Sequence, residues 1–347
     1  MFKTSDKSGI SASLQDAQVS QLQGLGAVVD SASVKNIQGK GNLDSMTGST
    51  TVDQLQVSGI NHGMGSAKDV TLNGISASAT KDTYQAEIEN IQGKKINTAG
   101  TNLNDVNVQT LSGNVSRDLQ SGNATLGGVN TSGIQGSTLA DGKNINYSAG
   151  ESSLNNMDVG FSTQNGNISA QGSFANVQSK DLHMDGVASV GDFAINNVHA
   201  NHSSNGSSLQ VGSVDAKNVE EHLMGGKAGN ISGSQISISA VDPTHYDASF
   251  GKVQAGDVQW KDSSLGSLDL NKTNANIRDG SVNASVHSAN MSEARFKNDQ
   301  ISSHAQSGSL EGIRFTGKNN DITGSVATGN LNNMTTSVAG NDINIDT

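Results

Sequence analysis

Eight histidines are spread along the chain, and two of them, His199 and His202 in the run HANH, have a spacing that suits a shared metal ion. On a strand, residues three apart point to opposite faces, so such a site needs a turn between them. The plainer reading is a solvent-facing polar pair. The run DPTHYD (242–247) gathers Asp242, His245 and Asp247 around Pro243, the only proline. It has the composition of an acid–base cluster. It also has the local chemistry of a type I turn with Pro243 at the second position, which is the reading we expect. Glu220 and Glu221 are adjacent carboxylates in a polar segment and read as a solvated face.

No further constellation appears. G-x-S-x-G, the P-loop, H-E-x-x-H, the EF-hand loop and the G-G-x-G-x-D calcium repeat are all missing. The expectation is a non-enzyme, with no catalytic, cofactor-binding or metal-ligating residue and no cofactor.

The elements that would hold such residues come next. Hydrophobic residues make up 33% of the 347, aromatics 3%, and there are 41 Gly and no Cys. A compact globule of this size needs large side chains in its middle. Low hydrophobicity also suits disorder, but one proline and recurrent Val and Ile argue for order in thin layers instead. The net charge of −11 and 21 scattered basic residues disfavour nucleic acid. No run approaches the roughly 18 apolar residues of a membrane-spanning helix.

An apolar-x-x-apolar step recurs throughout: VDQLQV (52–57), LNDVNV (103–108), LNNMDV (154–159) and LEGIRF (310–315), with shorter copies such as VKNI (34–37) and IENI (88–91). The last two run into N-I-Q-G-K, which is written twice. Counting copies gives a degenerate repeat of about 20 residues, and periods of about 20 to 50 mark solenoids or arrays. Polar clusters such as GKGN (39–42), TKD (80–82), QNGN (164–167) and RDG (278–280) read as turns. Alternating runs such as SQISISAV (234–241) read as strands. The reading is short strands turning every 8 to 12 residues or so, about two per unit, with Asn, Ser and Thr in hydrogen-bonded ladders. Helical signal is confined to VEEHLM (219–224) and to SASLQDAQVSQLQ (11–23). The expected organisation is an N-terminal cap over 1–25 and a continuous repeat over 26–347.

The fold expected is all-β, with two arrangements open. In a parallel β-helix, the favoured one, each unit is one coil. SVAGNDINI (337–345) and TQNGNISAQGSF (163–174) resemble the repeats of filamentous-haemagglutinin-like exoproteins, whose likeness implies a secreted β-helical adhesin. In the alternative, a long antiparallel meander, the polar clusters are hairpins and the apolar-x-x-apolar step marks a bulge that shifts the inward phase. Such a sheet resembles the AsmA/TamB lipid-bridging class, a likeness that implies a curled sheet with a continuous apolar lining. At 33% hydrophobic content such a lining looks sparse, which favours the β-helix.

Two functions follow. The first is a structural or adhesive repeat protein, extracellular or on the cell surface. The second is a carrier or conduit for apolar, lipid-like ligands. Either array leaves sheet ends uncapped, so protein partners or self-association are expected at those ends.

Overall fold

The computed structural model describes every residue except 1, 6–8, 25, 141, 243, 299–300, 319–320, 339–340 and 346–347. It is all-β, and no helix occurs among the described residues. The strands join in one antiparallel sheet, and the contacts divide the chain into two compact units, Met1–Val177 and Gln178–Thr347.

The first unit contains β1 (Phe2–Ser5), β2 (Gly9–Gly24), β3 (Ala27–Asn42), β4 (Thr47–His62), β5 (Gly65–Ala79), β6 (Thr83–Thr98), β7 (Thr101–Ser116), β8 (Ser121–Ala140) and β9 (Lys143–Gln164). The boundary falls within β10 (Asn167–Met184). The second unit continues with β11 (Ala188–Ser203), β12 (Gly206–Glu221), β13 (Gly226–Asp242), β14 (His245–Trp260), β15 (Ser263–Arg278), β16 (Ser281–Lys297) and β17 (Ile301–Lys318). It ends with β18 (Asp321–Ser325), β19 (Thr328–Val338) and β20 (Asn341–Ile345). From β2 to β9 and from β11 to β17, each strand pairs antiparallel with the next.

The parallel β-helix is therefore incorrect, and the antiparallel meander is the fold. Successive strands are joined by two to four residues. Such links close hairpins, whereas parallel neighbours need a crossover of about a dozen residues or more. The strands are also about twice the expected length, mostly 16 residues, so each repeat is one strand. GKGN (39–42) is the end of β3 and turns nowhere; the turn follows it at 43–46. The two helical readings also fail. Residues 11–23 lie within β2, and VEEHLM is the end of β12 running into its turn. In the first the spacing of three between Val19 and Leu22 spans the kink at Gln21, and in the second the spacing of four between Val219 and Leu223 runs from the strand end into the turn.

The kink has one cause throughout. Every strand from β2 to β17, and β19 as well, carries a residue of positive φ well inside its span, among them Asn36, Gly59, Gly74, Thr110, Asn156, Asn197 and Glu293. Each occupies the eighth place of a nine-residue pattern, apolar-x-x-apolar-x-apolar-x-x-apolar. The pattern reads VDSASVKNI in β3, VDQLQVSGI in β4, AKDVTLNGI in β5, VGDFAINNV in β11 and LGSLDLNKT in β15. Small residues replace apolar ones at some of the four places. Left-handed backbone reverses the side-chain alternation locally, so places six and nine, three apart, share a face.

The pattern is complementary to itself. In an antiparallel pair, place n lies opposite place 10 minus n. Val52, Leu55, Val57 and Ile60 of β4 thus meet Ile75, Leu72, Val70 and Ala67 of β5. The left-handed eighth residue always faces the second place of its neighbours, as Asn36 faces Asp53. No residue is inserted, so the register runs through the kink unshifted, and the expected bulge is not one in the ladder sense.

Candidate functional site

Places one, four, six and nine align strand after strand into four rows on one face. In the first unit one row runs Leu14, Ile37, Val52, Ile75, Ile88, Leu111, Leu126 and Met157. The next runs Ala17, Val34, Leu55, Leu72, Ile91, Val108, Val129 and Leu154. The buried apolar residues Ala149, Val198, Ala228, Ala289, Ala305 and Ile313 all occupy these places. The intervening places are polar. Their side chains bond between strands: Gln54 donates to Asn73 (2.9 Å), Ser58 to Asp69 (3.0 Å) and Asn196 to Ser213 (2.9 Å). These are the expected Asn and Ser ladders.

Among the described residues no second layer covers the apolar rows. Among the described residues no large side chain is fully buried. The accessible surface is 21634 Å², against about 13,000 Å² for a compact monomer of 35.6 kDa. The rows are shielded mainly by one another.

In the first unit, two bridges cross the apolar side at opposite ends of the strands. Tyr147 of β9 lies over Gly136 of β8, and its hydroxyl meets the Thr101 hydroxyl of β7 at 2.6 Å. At the other end, the Arg117 guanidinium packs 5.4 Å from the centre of the Tyr84 ring and donates to the Met46 carbonyl. Tyr84 is four residues before Ile88 in unkinked strand and so shares its apolar face. In a flat sheet the turn holding Arg117 and the turn holding Met46 stand four strands apart, about 19 Å. An arginine does not span that distance, so this end of the unit is bent toward its apolar side. Arg117 carries a buried Nε that finds no acceptor.

Comparison with protein-family models, curated proteins and solved structures finds no match for this chain.

The residues singled out for chemistry lie elsewhere. His199 and His202 are exposed on β11 with no kink between them, and His202 Nδ1 lies 2.8 Å from the Ser207 hydroxyl. Among the described residues no group of three or more His, Cys, Asp or Glu side chains could hold a metal ion. Asp242 and His245 do meet, with Oδ2 2.6 Å from Nδ1, as they close the β13–β14 turn. The Thr244 hydroxyl and amide, then the His245 ring, hydrogen-bond Asp242 and hold its carboxyl down to about 2. Asp247 is drawn to Arg278, 3.6 Å away, and to Asn276. It lines a groove of about 420 Å³ between β13 and β17 that neither Asp242 nor His245 enters. Pro243 lies outside the described residues.

Glu220 pairs with Lys227 at 2.8 Å, which lowers its carboxyl from the usual value. Glu221 accepts the Met224 amide at 2.8 Å and that of Leu223, and is lowered chiefly by the first. Both are turn-closing residues. The apolar face itself was half visible beforehand: the apolar-x-x-apolar step was its signature, and the second such step in each strand completes it.

Proposed function

We propose that this chain carries apolar, chain-like ligands, of the kind a lipid acyl chain represents, along the four-row face of its sheet. One observation supports the reading above others: in the first unit two rows made almost wholly of Val, Ile and Leu run from strand to strand, and among the described residues no layer packs on them. Apolar surface left in water costs about 25 cal/mol per Å², and a hydrocarbon ligand removes that cost without displacing any hydrogen bond. The bend held by Arg117 and Tyr84 adds concavity on the same side. The 33% hydrophobic content is sufficient because it is concentrated on one face. The resemblance to the AsmA/TamB class fits this reading better than the exoprotein likeness, which went with a β-helix.

The test is mass spectrometry of the chain purified without detergent, before and after incubation with lipid. Retained lipid in stoichiometric amount supports the proposal; a lipid-free chain after incubation contradicts it. The adhesive or structural role at a cell surface is the competing proposal, and it predicts that lipid-free outcome.

A further inference from the structure

The two ends of the strands in the second unit carry turns of different composition. At one end the β11–β12, β13–β14 and β15–β16 turns read SSNG (203–206), DPTH (242–245) and RDGS (278–281). Pro243 apart, every residue in these turns is polar or glycine. At the other end the β12–β13 turn leaves Leu223 75% and Met224 65% exposed. Trp260 is the last residue of β14 and Phe296 the last but one of β16, 50% and 51% exposed. Alternate turns of a meander share an end, so these four side chains stand on one rim. Single exposed apolar residues are ordinary, but a concentration of them marks a contact surface.

Trp260 and Phe296 continue the apolar face, two residues beyond Val258 and Ala294. They lie two strands apart, about 10 Å. Trp260 pairs with Gly226 on one side and Ser263 on the other, and Phe296 pairs with Ser303. Each ring therefore rises above small neighbours. A folded protein partner would need a separate pocket for every such knob, whereas the fluid boundary of a bilayer admits each one. The charges favour the same occupant. Glu220 is taken by Lys227, Glu221 by the Leu223 and Met224 amides, and Glu293 by Arg295 and His304. Lys261, whose ammonium lies 5.5 Å from the centre of the Trp260 ring, and Lys297 pair with no acid among the described residues. Asp262 is the one unengaged acid among the described residues of the three turns. An aromatic ring beside a lysine suits the headgroup layer, because the ring fills the boundary and the ammonium reaches out to phosphate.

We propose that this rim of the second unit docks on the surface of a lipid bilayer. Leu223, Met224, Trp260 and Phe296 enter the boundary between headgroups and acyl chains, and Lys261 and Lys297 extend to the lipid phosphates. The docking does not require that the apolar face carry a ligand. Where it does, the rim is the entrance: Val258 and Leu265, paired across β14 and β15, are the next apolar residues inward from Trp260. That second step alone rests on the carrier reading.

Trp260 is the only tryptophan, so its fluorescence reports the rim directly. The full chain should float with vesicles of phosphatidylcholine and phosphatidylglycerol. Its emission should shift to the blue, and lipids brominated near the headgroup should quench it. Trp260→Ser with Phe296→Ser should weaken partition into vesicles by about tenfold or more, with an unchanged circular dichroism spectrum. Wild-type partition should rise with the share of phosphatidylglycerol, and that of Lys261→Glu with Lys297→Glu should fall. A chain that stays unbound at every lipid concentration overturns the proposal. So does binding that survives the Trp260 and Phe296 changes, or emission that aqueous iodide quenches as strongly with vesicles as without. Burial of Trp260 between copies of the chain in the absence of lipid would overturn it as well. Calorimetric titration of the same proteins with monomeric fatty acid tests the carrier reading separately, so failure of either is seen without the other.

Discussion

Asn36 sits at φ 50° in the middle of β3, and its side-chain amide donates to the Asp53 carboxylate of β4 at 2.7 Å. The contact joins the eighth place of one strand to the second place of the next. The same relationship repeats across the sheet with other side chains. Gly59 lies under Asp30, Gly74 under Glu89, and Asn197 beside Gly212. In many of these pairs one member is glycine, because two full side chains crowd each other at the kink.

Glycine placement should therefore decide stability. Gly59 has φ 64°, and a Cβ there would overlap the Asp30 carboxylate. Gly59→Ala should destabilise the first unit by about 2 kcal/mol or more, from left-handed strain and the clash together. Thr110 is β-branched at φ 46°, so Thr110→Gly should stabilise it by about 1 kcal/mol. Urea unfolding of each variant measures both changes.

The Asp242 turn should titrate low. Its carboxyl lies below the unfolded value of 3.8, at about 2. A lowered pKa means that the stabilising contribution is complete above the unfolded value and is lost as pH falls from about 4 toward 2. Removing the Thr244 hydroxyl in Thr244→Val should raise the Asp242 pKa toward 3.8, read by carboxyl-carbon chemical shifts against pH. An unchanged value would mean that the hydroxyl is not the dominant cause.

The bent end of the first unit should loosen without Arg117. Arg117→Ala removes both the contact with Tyr84 and the bond to the Met46 carbonyl. Amide hydrogen exchange should accelerate at 43–47 and leave the β4–β5 ladder unaffected. Arg117→Lys should restore it poorly, because an ammonium lacks the flat guanidinium that stacks on the ring. Equal exchange in all three proteins would show that the bridge does not hold the bend.

Charge on the apolar face should abolish binding without unfolding. Val57 and Val70 are cross-strand neighbours in one row. Val57→Asp with Val70→Asp should lower affinity for a fatty acid at least tenfold, by about 1.4 kcal/mol or more. The same change at Gln56 and Thr71, on the polar side of the same strands, should leave affinity unaltered. Calorimetric titration separates the two pairs.

Much of this fold was legible. VDQLQV and LNDVNV carry the phase shift in plain view, and QNGN, TKD and RDG do lie at hairpin turns. The kinks were not legible from residue type. Lys95, Thr110, Gln235 and Glu293 all adopt the left-handed conformation, although none favours it alone. The cross-strand setting imposes it. Nor was the period. The nine-residue pattern lies nearer one end of most strands, so over much of the chain successive copies alternate between short and long spacing. That alternation looked like a decayed 20-residue repeat. It also explains N-I-Q-G-K: VKNI ends the pattern in β3, whereas IENI opens it in β6. The antiparallel register nonetheless puts Val34 in one row with Ile91, and Ile37 in another with Ile88.

The central claim is that the four-row face holds the ligand, and photo-cross-linking tests it most directly. A fatty acid bearing a diazirine on its chain is bound, irradiated and mapped by peptide sequencing. The account predicts adducts at places one, four, six and nine, such as Val57, Val70, Leu72 and Val108. Adducts confined to the polar places, such as Gln56, Thr71 and Asn107, or no saturable labelling at all, would contradict it.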